Sequence, residues 1–202
     1  MYAAQNPKHD KRLVFQVSGK LWQRSLVMRD LQTGSLWSHI LGEAMDGPLK
    51  GTTLKPIPPV ITSWGEWKTN PPVTIALNLD LSAKRFDTKA WKERKRFVLG
   101  IEHDGKTKAW PYRFLEENPV SVETFTGKEF LIVFLKESAT AFAFETGGVI
   151  KSGKLDQGTL VSDDGTRWNL WTARAIEGPQ KGKNLTRAYA LPSYRKAWLD
   201  FH

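Results

Sequence analysis

Two eight-residue stretches far apart in the chain decide the fold. Ala44-Met45-Asp46-Gly47-Pro48-Leu49-Lys50-Gly51 is answered by Ala175-Ile176-Glu177-Gly178-Pro179-Gln180-Lys181-Gly182. Further matches follow in the same order: Ser18-Gly19-Lys20-Leu21 with Ser152-Gly153-Lys154-Leu155, Leu26-Val27 with Leu160-Val161, Thr33-Gly34-Ser35-Leu36-Trp37 with Asp164-Gly165-Thr166-Arg167-Trp168, Leu54 with Leu185, and Trp67 with Trp198. Ordered similarity at a long, nearly constant spacing is typical of an internal repeat. The sequence therefore predicts an internally duplicated unit.

Strand signals dominate the repeated unit and its surroundings. Asp104-Gly105 and Thr126-Gly127 each separate two runs rich in β-branched and aromatic residues, which is typical of tight hairpins. Further strands are predicted at 13–17, 73–79 and 138–145, and short helices at Ser63-Trp64-Gly65-Glu66 and Ser193 to Leu199, the latter with Tyr194 and Trp198 on one face. We expect a mainly β fold with short helices, and an α+β fold is the second choice.

The spacing of the repeat also predicts how the chain is divided. If the full unit spans 97–202, the first copy lacks its front half, because too few residues precede Ser18. The alternative is a shorter repeat, at about 13–72 and 147–202, with 97–146 inserted; loss of the front half is favoured. We expect a tail at 1–12, a partial first repeat at 13–83, a basic connector at 84–96 and a second repeat at 97–202, the repeats packing as one globular body. An incomplete sheet has an open edge, and such edges are usually covered or paired. A homo-oligomer that completes the sheet is therefore predicted.

Composition excludes several classes of protein. The chain of 202 residues contains no cysteine, which excludes a disulfide scaffold, a cysteine zinc site, a thiol nucleophile and an iron–sulfur protein. The four histidines lack metal-ligand spacing, so neither a metal nor another cofactor is predicted. No apolar run reaches the ~20 residues that a membrane-spanning helix needs. The chain shows no G-x-S-x-G sequence, so a hydrolase triad has no support.

The motif segments Leu26-Val27-Met28-Arg29-Asp30, Thr33 to Ser38, Gly42-Glu43-Ala44 and Gly47 to Gly51, with a second set from Gly100-Ile101 to Glu177-Gly178-Pro179, resemble a bacterial and archaeal family. It is known as domain of unknown function 3179, and the resemblance covers about 13–79 and 97–202. It implies no established activity. It implies a periplasmic or envelope location if an export signal lies upstream, and otherwise the location is cytoplasmic.

The chain departs from that family at its most reactive residues. The resemblance implies a Cys-Pro-x-Cys-like motif with an upstream histidine. The corresponding positions here fall near Leu135, Ser138 and Asn118. A redox or metal role is therefore not carried over to this chain.

Two tryptophans and three cations are the ligand-binding candidates. Trp37 and Trp168 each follow a tight turn, and their first interpretation is a core role, because a tryptophan buries a large apolar area. The alternative is a stacking platform for a sugar or a base, with Arg167 beside it. Lys50 and Lys181 each precede a glycine, which predicts at most a weak anion-binding turn and not a P-loop.

Asp46 and Glu177 are the catalytic candidates, since each places a carboxylate before a Gly-Pro turn. Their first interpretation is turn capping. If the two copies face each other, the carboxylates converge, as acid–base or glycosidic chemistry requires. The enzyme alternative acts on a carbohydrate-like substrate through this pair.

The basic connector is the anion-binding candidate, and its cations include Lys89, Lys92, Arg94, Lys95 and Arg96. A solvated connector is the first interpretation, and nucleic acid is a less favoured partner. Taken together, the residues favour a non-catalytic binding or structural domain, with its partner unknown.

Overall fold

The structure is a computed structural model that describes residues 1–5, 12–23, 25–70, 74, 93 and 96–201. Short strands and a few short helices account for the regular structure. The strands are β1 (Phe15–Trp22), β2 (Ser25–Asp30), β3 (Leu36–Ser38), β4 (Ala44–Asp46), β5 (Phe97–His103), β6 (Lys106–Pro111), β7 (Val120–Phe125), β8 (Lys128–Leu135), β9 (Thr140–Glu145), β10 (Gly153–Asp156), β11 (Thr159–Ser162), β12 (Arg167–Asn169), β13 (Arg174–Glu177), β14 (Thr186–Arg187) and β15 (Ala190–Tyr194). The helices are α1 (Trp64–Thr69), α2 (Tyr112–Glu117) and α3 (Arg195–Phe201). The expected mainly β class is confirmed.

The strands of the described residues form four antiparallel sheets, which we name A to D. Sheet A has the order β1-β2-β3-β4, sheet B β14-β9-β8-β7, sheet C β15-β5-β6, and sheet D β10-β11-β12-β13. The chain divides into two compact units, Met1–Ile57 with sheet A and Pro58–His202 with the other three. This division falls before the expected basic connector, so the 58–70 segment belongs with the second unit.

Sheet B is the centre of the second unit because it is buried on both faces. Successive side chains of a strand point to opposite faces. Phe130, Ile132 and Phe134 of β8 therefore join one core with β5 of sheet C. Leu131 and Val133 join a second core with Leu160 and Trp168 of sheet D. Burial on both faces explains why β8 and β9 read as almost continuous apolar runs.

The predicted hairpins are confirmed. Strands β5 and β6 pair through Asp104-Gly105, and β7 and β8 pair through Thr126-Gly127. Asp104 and Gly105 have φ of 51° and 68°, and Thr126 and Gly127 have 47° and 78°. Positive φ at both central residues is the type I′ geometry that matches the twist of the flanking strands.

The short helices depart from expectation in detail. The Ser63 hydroxyl caps α1 by accepting from the Glu66 N–H at 3.2 Å, as predicted, but the Glu66 carboxylate accepts from the Asn70 amide instead of returning to the cap. The helix expected from Ser193 begins at Arg195, because Tyr194 still pairs with Phe97 as the last residue of β15. The strand expected at 13–17 starts at Phe15. Of the strand expected at 73–79, only Thr74 lies within the described residues.

Sheets A and D have the same strand order and nearly the same irregularities. Both carry a register shift at the start of the third strand, between Leu36 and Trp37 and between Arg167 and Trp168. The next turn repeats as well. The Lys50 N–H donates to the Gly47 carbonyl at 3.0 Å, and Lys181 donates to Gly178 at 3.1 Å.

The strand register also shows that the β1–β2 hairpin and the β10–β11 hairpin differ in length. Met28 lies opposite Trp37 in sheet A, and Leu160 lies opposite Trp168 in sheet D. At the turn, Leu26 pairs with Leu21 and Leu160 with Leu155. The β1–β2 hairpin is therefore two residues longer on its second strand, since β2 has 6 residues and β11 has 4.

Candidate functional site

A cavity of about 550 Å³ opens beside the last helix of the second unit. We call it the α3 groove. Its lining combines three cations, an aromatic ring, an aliphatic side chain and one carboxylate: Arg96, Tyr194, Arg195, Lys196, Leu199 and Asp200. The volume lies within the ~300–1,000 Å³ of sites that hold small molecules.

The groove exists because β15 runs straight into α3. Tyr194, the last strand residue, pairs with Phe97 and stacks on its ring at 4.7 Å between centroids. Tyr194 is 48% exposed and lines the groove. Arg195 and Lys196 follow at once and are exposed.

Trp198 seats α3 on sheet C and so sets the position of the groove. Its side chain is buried, and the indole lies directly over Gly100 of β5. A Cβ at Gly100 would lie 2.2 Å from the Trp198 ring. Glycine at this position is therefore what allows the helix to pack so closely.

The cations of the groove differ in their partners. Arg96 forms an ion pair with Glu93, and the Lys196 Nζ lies 3.9 Å from the Asp200 Oδ2 one helical turn away. Exposed pairs of this kind contribute little to stability and are screened by salt. Within the part of the chain that the structure describes, Arg195 has no carboxylate at ion-pair distance. Among the described cations of the groove, Arg195 is thus the one without a carboxylate partner.

Both tryptophan candidates lie in cores. Trp37 and Trp168 are 0% and 1% exposed. The Trp37 Nε1–H donates to the Asp30 carboxylate at 2.9 Å, and the Trp168 Nε1–H donates to the Ser162 hydroxyl at 3.0 Å. Their burial matches the core interpretation and leaves neither ring with a face for stacking on a ligand.

The Asp30 carboxylate holds the turn before β3 as well as the indole. It accepts from the Thr33 N–H at 2.6 Å and from the Thr33 hydroxyl. Burial alone raises the pKa of Asp30, but the hydrogen bonds from Trp37 and Thr33 outweigh it, so the pKa is held below the usual range. Ser162 takes the same place in sheet D without a charge.

Asp46 and Glu177, the catalytic candidates, are exposed at the ends of β4 and β13. Asp46 lies in the first unit and Glu177 in the second, and their convergence stays a prediction. Arg167 donates to the Asp156 carboxylate at 2.8 Å, and its Nε lies 3.9 Å from Glu177. The Glu177 carboxylate thus faces a cation of its own sheet.

The glycines after these carboxylates explain why the motif repeats. Gly47 and Gly178 both have φ of 90°, a conformation that side chains disfavour. A Cβ at either position would lie 2.8 Å from the Cα of the residue before β3 or β12, Ser35 or Thr166. Lys50 and Lys181 are exposed on the following turn.

Of the anion-binding candidates, only Arg96 falls within the described residues, where it lines the α3 groove. Lys89, Lys92, Arg94 and Lys95 lie outside them. Tyr194, Arg195 and Lys196 were missed as site residues. In the sequence they appear as an aromatic residue followed by two cations at the end of a strand. The helical spacing of Tyr194 and Trp198 instead predicted a helix over this segment, so the end of the strand was not recognised.

The described residues contain no group of three or more histidine, aspartate or glutamate side chains arranged to hold a metal ion. None of their helices combines the length and the apolar character needed to cross a bilayer.

Comparison with known proteins gives one match. Neither a search of curated proteins nor a search of solved structures found a match to this chain. The sequence profile described as "Protein of unknown function (DUF3179)" matches residues 2–202. The match takes in both copies of the Gly-Pro turn motif and the α3 groove. The chain therefore belongs to the DUF3179 family.

Proposed function

We propose that this chain is a non-catalytic binding protein for a small anionic ligand held in the α3 groove. The observation that carries the proposal is the lining of one cavity by Arg96, Arg195 and Lys196 together with the ring of Tyr194. Arginine presents a planar set of donors that matches phosphate and carboxylate oxygens.

The apolar part of the lining supports a ligand with a flat or aliphatic portion. Tyr194 already stacks on Phe97, which holds its ring in place for a second stacking partner. Leu199 adds an aliphatic side chain that is 66% exposed. A ligand with an anionic group and a ring would use both features, so the expected class is an aryl or nucleoside phosphate.

Titration with phenyl phosphate, followed by NMR or calorimetry, tests the proposal. Inorganic phosphate is the comparison, and it should bind more weakly because it lacks the ring. Arg195→Gln should lower the affinity for phenyl phosphate about tenfold, since hydrogen bonds to charged groups contribute ~1.5–3 kcal/mol. The affinity should also fall as salt rises.

Lys154→Gln is the matched control, because Lys154 is an exposed cation on β10, outside the groove. Its affinity should equal that of the wild type. An Arg195→Gln protein that binds phenyl phosphate as tightly as the wild type would contradict the proposal. Equal losses in both variants would also contradict it, since they would indicate a general charge effect.

We further propose that sheets A and D derive from one duplicated sequence. The shared strand order, the shared register shifts and the twin Gly-Pro turns support this. An experimental structure in which 36–54 and 167–185 do not superpose would contradict it.

The cellular location and the oligomeric state are proposed as well. The family resemblance is the support for an envelope location, and cell fractionation of the native protein tests it. The edge position of β1 in sheet A supports a homo-oligomer. A monomeric mass by light scattering would contradict that proposal.

A further inference from the structure

The hairpin formed by β1 and β2, which we call the first hairpin, exposes an unusual amount of apolar surface. Val17 is 69% exposed and Leu21 is 72% exposed. Trp22, at the end of β1 next to the turn, is 38% exposed. Since β1 is an edge strand of sheet A, this surface lies at the border of the first unit.

The corresponding hairpin of sheet D shows that such exposure is not required by the fold. Leu155 and Leu160 pair as Leu21 and Leu26 do, but Leu160 is 0% exposed and Leu155 packs against the core between sheets B and D. The position of Trp22 is taken there by a polar residue, Asp156, which is bonded to Arg167.

The two hairpins also differ in length. The first hairpin has strands of 8 and 6 residues, and its counterpart has strands of 4 and 4. The additional residues of β1 are the four before Gly19, and they include the exposed Val17. The first hairpin is therefore longer than its counterpart in sheet D, and it exposes more apolar surface.

The charges of the first hairpin have one sign at its surface. Its sequence carries Lys20, Arg24 and Arg29, of which Lys20 and Arg29 are exposed in the described structure. Its one acid, Asp30, is 0% exposed and is bonded to Trp37 and Thr33. In the described part of the hairpin, Lys20 lies next to Leu21, and the Arg29 guanidinium lies beside Gly34 before β3. An apolar surface accompanied by cations is complementary to a surface that is apolar inside and anionic at its boundary.

A bilayer with anionic headgroups has that combination. Tryptophan favours the boundary between lipid and water, and lysine and arginine reach back to the headgroups. Each cation near an anionic surface adds to the attraction. We propose that the first hairpin is a contact for the surface of an anionic lipid bilayer, inserting Leu21 and Trp22 among the headgroups. This goes beyond the ligand site in the second unit.

Vesicle binding of the full chain tests the proposal. The wild type should cosediment with vesicles of phosphatidylglycerol and phosphatidylcholine, and about tenfold less with phosphatidylcholine alone. The double variant Leu21→Ser, Trp22→Asp should bind the anionic vesicles at least about tenfold more weakly. The β10–β11 hairpin of sheet D has an aspartate, Asp156, at the position of Trp22. Trp22→Asp is therefore compatible with the strand pairing.

Two further variants separate the hairpin from other surfaces. Ile176→Ser removes an exposed apolar side chain of β13 in the second unit, and Lys154→Gln removes an exposed cation of β10. Both should bind anionic vesicles like the wild type. In a second readout, bromine-labelled lipid should quench part of the wild-type tryptophan fluorescence. Trp22→Phe should keep vesicle binding and lose that part of the quenching.

Several results would overturn the proposal. They are a lack of cosedimentation by the wild type, equal binding to neutral and anionic vesicles, or equal binding by the double variant and the wild type. Loss of binding in Arg195→Gln alone would assign the lipid contact to the α3 groove instead. Self-association of the wild type that disappears in the double variant, without vesicle binding, would assign the hairpin to a contact between copies of this chain.

Discussion

At the scale of single residues, one buried carboxylate in the first unit has the role that a hydroxyl has in the second. Asp30 and Ser162 each accept from the indole N–H of the core tryptophan of their sheet. The charged version forms additional bonds to Thr33, which brace the turn before β3. Charge-assisted hydrogen bonds are the stronger kind.

Asp30→Asn should therefore lower the free energy of unfolding of the first unit by about 1.5–3 kcal/mol at neutral pH. Because hydrogen bonds hold the pKa of Asp30 below its unfolded value, this stabilisation is present above the unfolded pKa. It is lost as the pH falls through the folded pKa. Urea unfolding at several pH values should show the gap between wild type and variant narrowing in acid.

Ser138→Ala provides an uncharged control for Asp30→Asn. The Ser138 hydroxyl is buried and shares one neutral hydrogen bond with the Thr140 hydroxyl, so the expected loss is about 1 kcal/mol. The gap between this variant and the wild type should not change with pH in the acid range. A pH-independent gap for Asp30→Asn would contradict the assigned role.

At the scale of elements, the packing of α3 on sheet C depends on the absence of a side chain at one position of β5. The Trp198 indole occupies the space that any Cβ at Gly100 would need. Strand β15, which carries Tyr194, pairs with β5 along its length. The α3 groove is thus held by a sheet edge, a stacked ring pair and one buried tryptophan.

Gly100→Ala should lower the free energy of unfolding by about 1–3 kcal/mol, because overpacking forces Trp198 or the backbone to move. The same change should alter the NMR signals of Tyr194 and Leu199 in the groove. Gly65→Ala in α1 is the control, since only the Ser63 hydroxyl lies near, at 4.0 Å. It should be neutral or stabilising, as alanine favours a helix by up to ~1 kcal/mol over glycine. Equal destabilisation of the two variants would contradict the packing argument.

At the scale of the whole molecule, each compact unit has a core of its own. The first core consists of Leu13, Trp37, Ala44, Leu49 and Leu54, with Tyr2, Phe15 and Met28 packed against it, all within 1–57. The second unit has two larger cores, one on each face of sheet B. Small domains bury a smaller fraction of their surface and are correspondingly less stable. The first unit should therefore unfold first.

The twin residues Leu54 and Leu185 test this order. Both are core leucines, at 4% and 7% exposure. Each donates its N–H to a carbonyl just before the last strand of its sheet, Leu54 to Gly42 before β4 and Leu185 to Ala173 before β13. Leu54→Ala should shift the first unfolding transition and Leu185→Ala the second, each by about 2–5 kcal/mol. Hydrogen exchange measured at increasing denaturant concentrations reports the unfolding of each unit separately and so distinguishes the two transitions. A single transition that both variants shift equally would contradict independent units.

Much of the local structure could be predicted because it rests on local chemistry. The Asp104-Gly105 and Thr126-Gly127 turns, the cap at Ser63 and the class of fold depend on backbone preferences and on the alternation of side chains, which are legible along the chain. The core role of Trp37 and Trp168 was predicted on the same basis. The boundary of α3 was not, since Tyr194 remains in β15 through its pairing with Phe97, a partner almost a hundred residues away in sequence.

The order of residues by itself determined the strands, the tight turns and the family to which the chain belongs, because each depends on neighbours in sequence. Only the tertiary structure decided which apolar side chains became core and which stayed at the surface. Leu155 and Leu21 occupy equivalent places in similar sequences, yet one packs beside sheet B and the other is exposed. Burial depends on what another part of the chain brings to that surface. The same reason explains the α3 groove, whose lining is assembled from Arg96 and the segment 194–200 only when β15 pairs with β5.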